Sequence, residues 1–333
     1  MPKKPTPNFW SKLKQPIMCL APMSDVTDSV FRQIIAKYGK PDVFFTEFVS
    51  VAGLCSVGRN NILEDLRFTK KEKPIVAQIW GSRPEQFYKS AKLVKKLGFD
   101  GIDINMGCPD KAVEKQGGGA ALIKNPKLAL EIIKETKRGA GILPVSVKTR
   151  LGHNTNIVGD WTRELLKTEL AALIVHARTR KQMSKVPADW LSITKAVKIR
   201  NQMKSTMLII GNGDVGSLDE ARQRVKETNA DGVMIGRGIF GNPWFFDPNI
   251  DIVDISIEKR LTVLIEHAKL FEKTYHKSKS FDIMKKHFKA YASGFSGAKD
   301  LRIALMNTGN AQEAKKEIQD FLKTLSSTNK QLK

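Results

Sequence analysis

A chain of 333 residues, 41% hydrophobic and with a formal net charge of +22, is long enough for one large barrel with an appendage or for two ordinary domains. So strong a basic excess attracts polyanions, nucleic acid first, although charge alone would also suit an anionic membrane surface or a solvated lysine-rich exterior. No run of about 18 apolar residues occurs, the opening MPKKPTPNFWSKLKQP lacks the apolar segment of a signal peptide, and Cys19, Cys55 and Cys108 form no CxxC pair. These features argue against a membrane span, a secretory leader, a disulfide framework and a metal site, and for a cytoplasmic globular protein, taken as monomeric.

Ile17–Ala21 predicts a short apolar strand ended by Pro22, and Val26–Tyr38 a helix behind the capping candidates Ser24 and Asp25. Val43–Glu47 and Ile75–Trp80 predict two further strands, and Arg83-Pro84 opens a helix that runs to Leu97. A fourth strand covers Ile102–Asn105, with a helix over Lys127–Arg138 behind it. Val145–Arg150, Ala172–His176, Leu208–Asn212 and Gly232–Ile235 complete eight strands, separated by helical patterns around Thr162–Lys167, Leu191–Met203 and Leu218–Thr228. Repeated strand-helix alternation predicts an α/β fold, a (β/α)8 TIM barrel over residues 1–245, rather than an open doubly wound sheet. Beyond Pro243 and the connector Asp247–Asp254 the strand signal stops. Helices over Ile257–Lys273, Phe281–Ser293, Lys299–Met306 and Ala311–Leu325 predict a small all-α helical-bundle domain over residues 246–333. From Glu258 to Lys333 sixteen Lys or Arg face eight Asp or Glu. Lys285, Lys286, His287, Lys289 and Tyr291 put phosphate-seeking charge beside an aromatic, a pattern that an ordinary amphipathic helix also shows.

The stretch Asp103–Ala121, DINMGCPDKAVEKQGGGAA, places a carboxamide, a thiol and three consecutive glycines directly after an apolar run. Asp103 and Asn105 fall on one strand face. Pro109 disfavours helix at Cys108 and holds the thiol in extended backbone at a loop rim. Gly117–Gly119 allows a tight turn or close backbone approach to a ligand. A buried thiol beside a flexible linker is the plainer alternative.

In a barrel, residues that end strands share one rim, where active sites are built. Polar residues recur there: Gln78 ends the third strand, Asp103 and Asn105 the fourth, Lys148 and Arg150 the fifth, His176 and Arg178 the sixth. Burying so many polar and charged groups is costly unless a polar or anionic ligand compensates. GNGD (Gly211–Asp214) follows the seventh strand and GRG (Gly236–Gly238) the eighth, the recurrent phosphate position of this fold. Backbone N–H groups freed by the glycines, with Arg237, would hold one phosphate.

These residues together resemble the tRNA-dihydrouridine synthase family of FMN-dependent enzymes. The matching stretches are APMSDVTD (Ala21–Asp28), TEF (Thr46–Phe48), the Gln78 strand, NMGCP with its downstream GGGAAL, VKTRLG (Val147–Gly152), HART (His176–Thr179), GNGD, GRG and MKKHFKAYASGFSGAKDLR (Met284–Arg302). The glycine triplet and Trp80-Gly81 are slightly unusual versions of their motifs. The resemblance implies a barrel followed by a helical domain, with FMN reduced by NADPH or NADH and tRNA as substrate. It implies hydride transfer to C6 of a uracil base while Cys108 protonates C5. Pro22, Met23 and Ser24 would line the flavin ring, Gln78 would hydrogen-bond it, Lys148 would stabilise its N1/O2 edge, and His176 would contact it. Asn212, Gly213, Asp214, Gly236 and Arg237 would hold the ribityl phosphate. Asn105 and Arg150, with Arg178, would meet the target uridine, and Lys285 and Lys286 on the basic helical domain would grip the tRNA backbone. A free thiol with a pKa of about 8.5 is mostly protonated at neutral pH and can donate.

Other readings share parts of this pattern. Another FMN barrel, such as a dihydroorotate dehydrogenase or an ene-reductase, would share the two phosphate loops without needing a basic helical appendage. An RNA-binding barrel without catalysis would not need Cys108, Lys148 and His176 together. A cysteine hydrolase pairing Cys108 with His176 would leave GNGD and GRG unexplained.

Overall fold

Short apolar runs become eight parallel strands in the computed structural model, which describes residues 8–276 and 278–331. Residues 1–7 of the stretch read for a leader lie outside the described residues. The strands are β1 Ile17–Leu20, β2 Phe44–Ser50, β3 Ile75–Trp80, β4 Gly101–Met106, β5 Val145–Arg150, β6 Ala172–His176, β7 Leu208–Asn212 and β8 Gly232–Ile235. From β2 to β8 each strand pairs with the next in sequence, and β1 pairs with β8. A bridge between Cys19 and Val43, with Leu20 N donating to Val43 O at 3.0 Å, joins β1 to β2 and closes the expected barrel.

The inside of the barrel changes polarity along its axis. Trp10 enters the inner cluster from the 3-10 turn Phe9–Lys12, and Ile17, Cys19, Val43, Phe45, Val76, Ala172, Ile174, Ile210 and Met234 fill the space around it. Towards the C-terminal ends of the strands, the paired positions turn polar. The register sets Gln78 beside Asp103, Asn105 beside Lys148, Arg150 beside His176, and His176 beside Asn212. Parallel pairing puts such partners on one face, so the alternation along each strand delivers these side chains together.

Three local expectations need correction. The first helix begins at Ser29 rather than Val26, and Ser24 and Asp25 do not cap it. Asp25 adopts a left-handed φ of 52°, and Val26 and Thr27 donate back to Met23 O in a turn, which interrupts helical geometry there. Strand β2 extends to Ser50, because an irregularity between Phe45 and Phe48 carries the pairing past Glu47. Gln78 and Asp103 lie inside β3 and β4 rather than at their ends, and both are fully buried.

The backbone divides into two compact units, the stretch up to Ser29 with Pro41–Arg237, and Val30–Lys40 with the stretch from Gly238 onward. The second unit contains helices Ile257–Tyr275, Met284–Tyr291, Ala298–Met306 and Ala311–Gln331. The expected helix from Phe281 is a 3-10 turn to Ile283 followed by Met284–Tyr291. Val30 and Ile34 pack in this unit with Trp244, Leu264, Phe271, Phe288, Leu305 and Ile318. Apolar residues at helical spacing therefore close a second core.

Candidate active site

A carboxylate anchors the polar layer. Asp103 Oδ1 accepts from Ser146 Oγ at 2.6 Å, and Oδ2 accepts from Gln78 Nε2 at 2.7 Å. Gln78 Oε1 in turn accepts from Asn105 Nδ2 at 2.9 Å. An ionised carboxylate only accepts, so it forces Gln78 to present its NH2 inward and its carbonyl to Asn105. Asn105 must then turn its own carbonyl the other way. That oxygen accepts the backbone N–H of Gly107 at 3.1 Å and of Cys108 at 2.9 Å. Burial pushes Asp103 up to about 6, against the hydrogen bonds from Ser146 and Gln78 and the charge of Lys148.

The loop carrying Cys108 is tied on every side. Ala120 N donates to Cys108 O at 3.0 Å, Arg150 Nε donates to Gly107 O at 2.7 Å, and Arg180 Nη2 reaches Pro109 O at 3.4 Å. The glycine triplet serves this closure. Gly119 has φ 58°, and a Cβ there would stand 2.7 Å from Cys108 O, so the close approach expected of these glycines is to the cysteine loop itself. Cys108 is half-buried, and burial raises its thiol pKa, against a backbone hydrogen bond from Asp110 and the charges of Arg150 and Lys148. The thiol is protonated at neutral pH and can act as an acid.

Across the mouth, Lys148 Nζ donates to Asn212 Oδ1 at 3.1 Å, and Asn212 Nδ2 donates to Met234 O at 2.8 Å. No carboxylate pairs with Lys148 among the described residues. Burial first, then Arg150, lowers it to about 8, against Asp103. Burial first, then Lys148, Arg150, Arg178 and Arg237, lowers His176 to about 2. Its imidazole is therefore neutral. Arg178 Nη1 lies 3.4 Å from His176 Nε2, and a guanidinium only donates, which leaves the proton on Nδ1.

Asp214, in left-handed backbone with φ 49°, bridges two arginines. Its Oδ2 pairs with buried Arg178 and accepts from Ala188 N, and its Oδ1 lies 3.2 Å from Arg237 Nη2. Against the upward push of burial, these partners hold its carboxyl below the usual range. Gly213, with φ 138°, directly precedes Asp214, while Gly236 and Gly238 flank exposed Arg237, and a Cβ on Gly236 would stand 4.0 Å from Met23 Sδ, so the loops after β1 and β8 adjoin.

Pro22 and Met23 are half-buried and Ser24 exposed on the loop after β1. Arg150 is mostly consumed by structure, since its Nη1 also donates to Thr179 O and Met183 O at 3.2 Å each. Arg178 is 3% exposed and donates through Nε to Val186 O at 2.5 Å. Lys285, paired with Asp282 at 2.5 Å, and exposed Lys286 lie in the second unit on Met284–Tyr291. Glu114, His153 and Arg180 around the Cys108 loop, and Ser146 on Asp103, were not read from the sequence; Ser146 alone had a signal, period two with Lys148 and Arg150. Among the described residues no group of His, Cys, Asp and Glu is arranged to hold a metal ion, and no helix is long and apolar enough to cross a membrane.

The chain is 42% identical over 318 residues to a probable tRNA-dihydrouridine synthase of Staphylococcus aureus, covering 94% of this chain and 95% of the relative. It is 41% identical over 319 residues to probable tRNA-dihydrouridine synthase 2 of Bacillus subtilis, covering 95% and 97%. Among solved structures, histamine dehydrogenase from a Rhizobium species matches with a TM-score of 0.54 at 12% identity, covering 79% of this chain and 51% of that one. A morphinone reductase mutant in complex with tetrahydroNAD matches with a TM-score of 0.50 at 15% identity, covering 72% and 89%. At such identities these two likenesses speak for the barrel fold alone. The model of the dihydrouridine synthase family matches residues 19–326, and with that match and these relatives the chain belongs to the dihydrouridine synthase family.

Proposed function

We propose that this protein is a tRNA-dihydrouridine synthase that reduces the C5=C6 bond of uridines in tRNA to 5,6-dihydrouridine, with Cys108 as the proton donor to C5. When bound, FMN reduced by NADPH or NADH supplies the hydride for C6. The residues present suit that group. Lys148 is a desolvated cation whose ammonium donates to the neutral carbonyl of Asn212 and, among the described residues, pairs with no carboxylate, so an electron-rich ring edge would stabilise it. Gln78 and neutral His176 would contact the ring, and Pro22, Met23 and Ser24 would line it. Asn212, the backbone at Gly213 and Gly236, and Arg237 would hold the phosphate. A carboxylate beside a phosphate repels it, so Asp214 would act by orienting Arg237.

Asn105 and the Nη2 of Arg150, which has no partner among the described residues, would meet the uracil. Arg178 would support that side of the mouth. The target uridine must leave its stack to reach a barrel mouth, which favours unpaired loop positions. Lys285 and Lys286 would neutralise tRNA phosphates. The observation that carries this reading is half-buried Cys108 on a loop pinned by Asn105 and Arg150, in the same mouth as Lys148, which no carboxylate pairs among the described residues.

The test is the visible spectrum of the purified protein, followed by anaerobic reduction with NADPH and addition of unmodified tRNA. FMN that reoxidises on tRNA addition, with dihydrouridine in the product, is expected. Failure to hold flavin even when FMN is supplied would overturn the reading.

A further inference from the structure

Glu114 has no part in the chemistry assigned above, yet its carboxylate joins three loops. It lies on the short helix Lys111–Lys115, directly after Cys108-Pro109. Its Oε1 is 2.7 Å from His153 Nε2 on the loop after β5. Its Oε2 accepts from Arg180 Nε at 2.5 Å and pairs with Nη2 of the same side chain, on the loop after β6. Those two loops are also zipped directly, because Arg180 N donates to Gly152 O and Lys181 N to His153 O, both at 2.9 Å. Arg180 extends the tie to the carbonyl of Pro109, next to the thiol.

This carboxylate works against the electrostatics of its surroundings. In a chain of net charge +22, with Lys148, Arg150 and Arg178 in the mouth, an anion at the rim weakens attraction for a polyanion. Its side chain is only 13% exposed, so it also bears a desolvation cost. The Arg180 ion pair and the contact with His153 offset that cost only while all three loops keep this arrangement. We infer that Glu114 is a positioning residue: with His153 and Arg180 it clamps the Cys108 loop, so that the thiol is presented in one orientation and shielded from bulk reagents. The catalytic half of this inference rests on the reading of Cys108 as proton donor.

Iodoacetamide alkylation of the protein without tRNA, followed by peptide mass mapping, reads the clamp. Exposed Cys55 serves as the internal standard, and labelling of buried Cys19 marks global unfolding. In Glu114→Ala and in Arg180→Met the Cys108-to-Cys55 rate ratio should rise about tenfold. The double variant should go no further than either single one, since one unit is being broken. The near-isosteric Glu114→Gln should give a smaller rise in the same direction. With tRNA, kcat for uridine reduction in Glu114→Ala should fall about tenfold while flavin content holds and KM does not rise. An unchanged ratio in folded Glu114→Ala and Glu114→Gln, or additive effects in the double variant, would overturn the clamp. Wild-type protein that reduces no uridine would sink the synthase reading instead, and the alkylation ratio would still decide the clamp.

Discussion

Asn105 and Cys108 are joined through one oxygen: the side-chain carbonyl of Asn105 accepts the backbone N–H of Cys108 at 2.9 Å, while the same side chain donates to Gln78. The orientation of the amide, set by buried Asp103, is thereby passed to the backbone that carries the thiol. Asn105→Ala frees both loop N–H groups and should lower uridine reduction about 100-fold. Asn105→Asp should do nearly as badly, because a carboxylate accepts at the loop but cannot donate to Gln78 Oε1. Single-turnover reoxidation of the reduced flavin by tRNA measures both, and full activity in either variant would break the link between relay and catalysis.

Cys108→Ala should keep flavin and its reduction by the nicotinamide cofactor while uridine reduction falls by about 100-fold or more, the usual contribution of a positioned acid. Dihydrouridine formed at the wild-type rate by this variant would refute the assignment of the acid. Because burial raises the thiol pKa, the alkaline loss due to this group should lie above the range of a free thiol.

Lys148 titrates first among the mouth cations, having been lowered to about 8. Below that pH it is charged and can hold an anionic ring edge; as pH rises through about 8 the charge is lost, and flavin affinity should weaken. Lys148→Arg should move that loss to higher pH. Flavin dissociation constants measured on either side of this value, in both proteins, give the answer, and a pH-independent affinity would remove Lys148 from the ring edge.

His267 and His287 form a buried pair in the second unit, 4.5 Å between ring centroids and both against Phe31. None of their ring nitrogens has a hydrogen-bond partner among the described residues. Burial lowers His287 to about 3 and holds His267 well below 6.5, so the folded state keeps both neutral. The sign follows from linkage. Above 6.5 neither folded nor unfolded chain binds these protons, and stability is intact; as pH falls from 6.5 towards about 3 the unfolded chain gains them first, and stability is lost. Each imidazole should cost about 1.4 kcal/mol per pH unit within that window. Denaturant midpoints across it should fall steadily, and His287→Leu should flatten the slope while leaving stability above the window unchanged or raised. An unaltered slope in His287→Leu would show that other groups control acid stability.

Much of the barrel was legible because its signals are local. Ala172–His176, Leu208–Asn212 and Gly232–Ile235 are mostly apolar runs, Val145–Arg150 alternates valines with polar residues at its start, and all four form strands over those same spans. The start of the first helix was not legible, since the left-handed turn at Asp25 depends on its N–H donating to Glu47 Oε1 at 2.5 Å, a partner far along the chain.

What the sequence determined by itself was which residue types recur at the ends of the strands, and so the family. Period two and the order of strands are enough to bring Gln78, Asn105, Lys148, His176 and Asn212 to one end of a barrel. What each polar group does once there was decided only by tertiary structure. Arg150 and Arg178 look alike as charged residues near strand ends, yet one holds the cysteine loop by Gly107 O and the other is paired with Asp214. Glu114 carried no signal at all in the chain. Its partners His153 and Arg180 arrive on other loops, and hydrogen-bond partnership across loops depends on the closed barrel that sets them side by side, which no periodicity encodes.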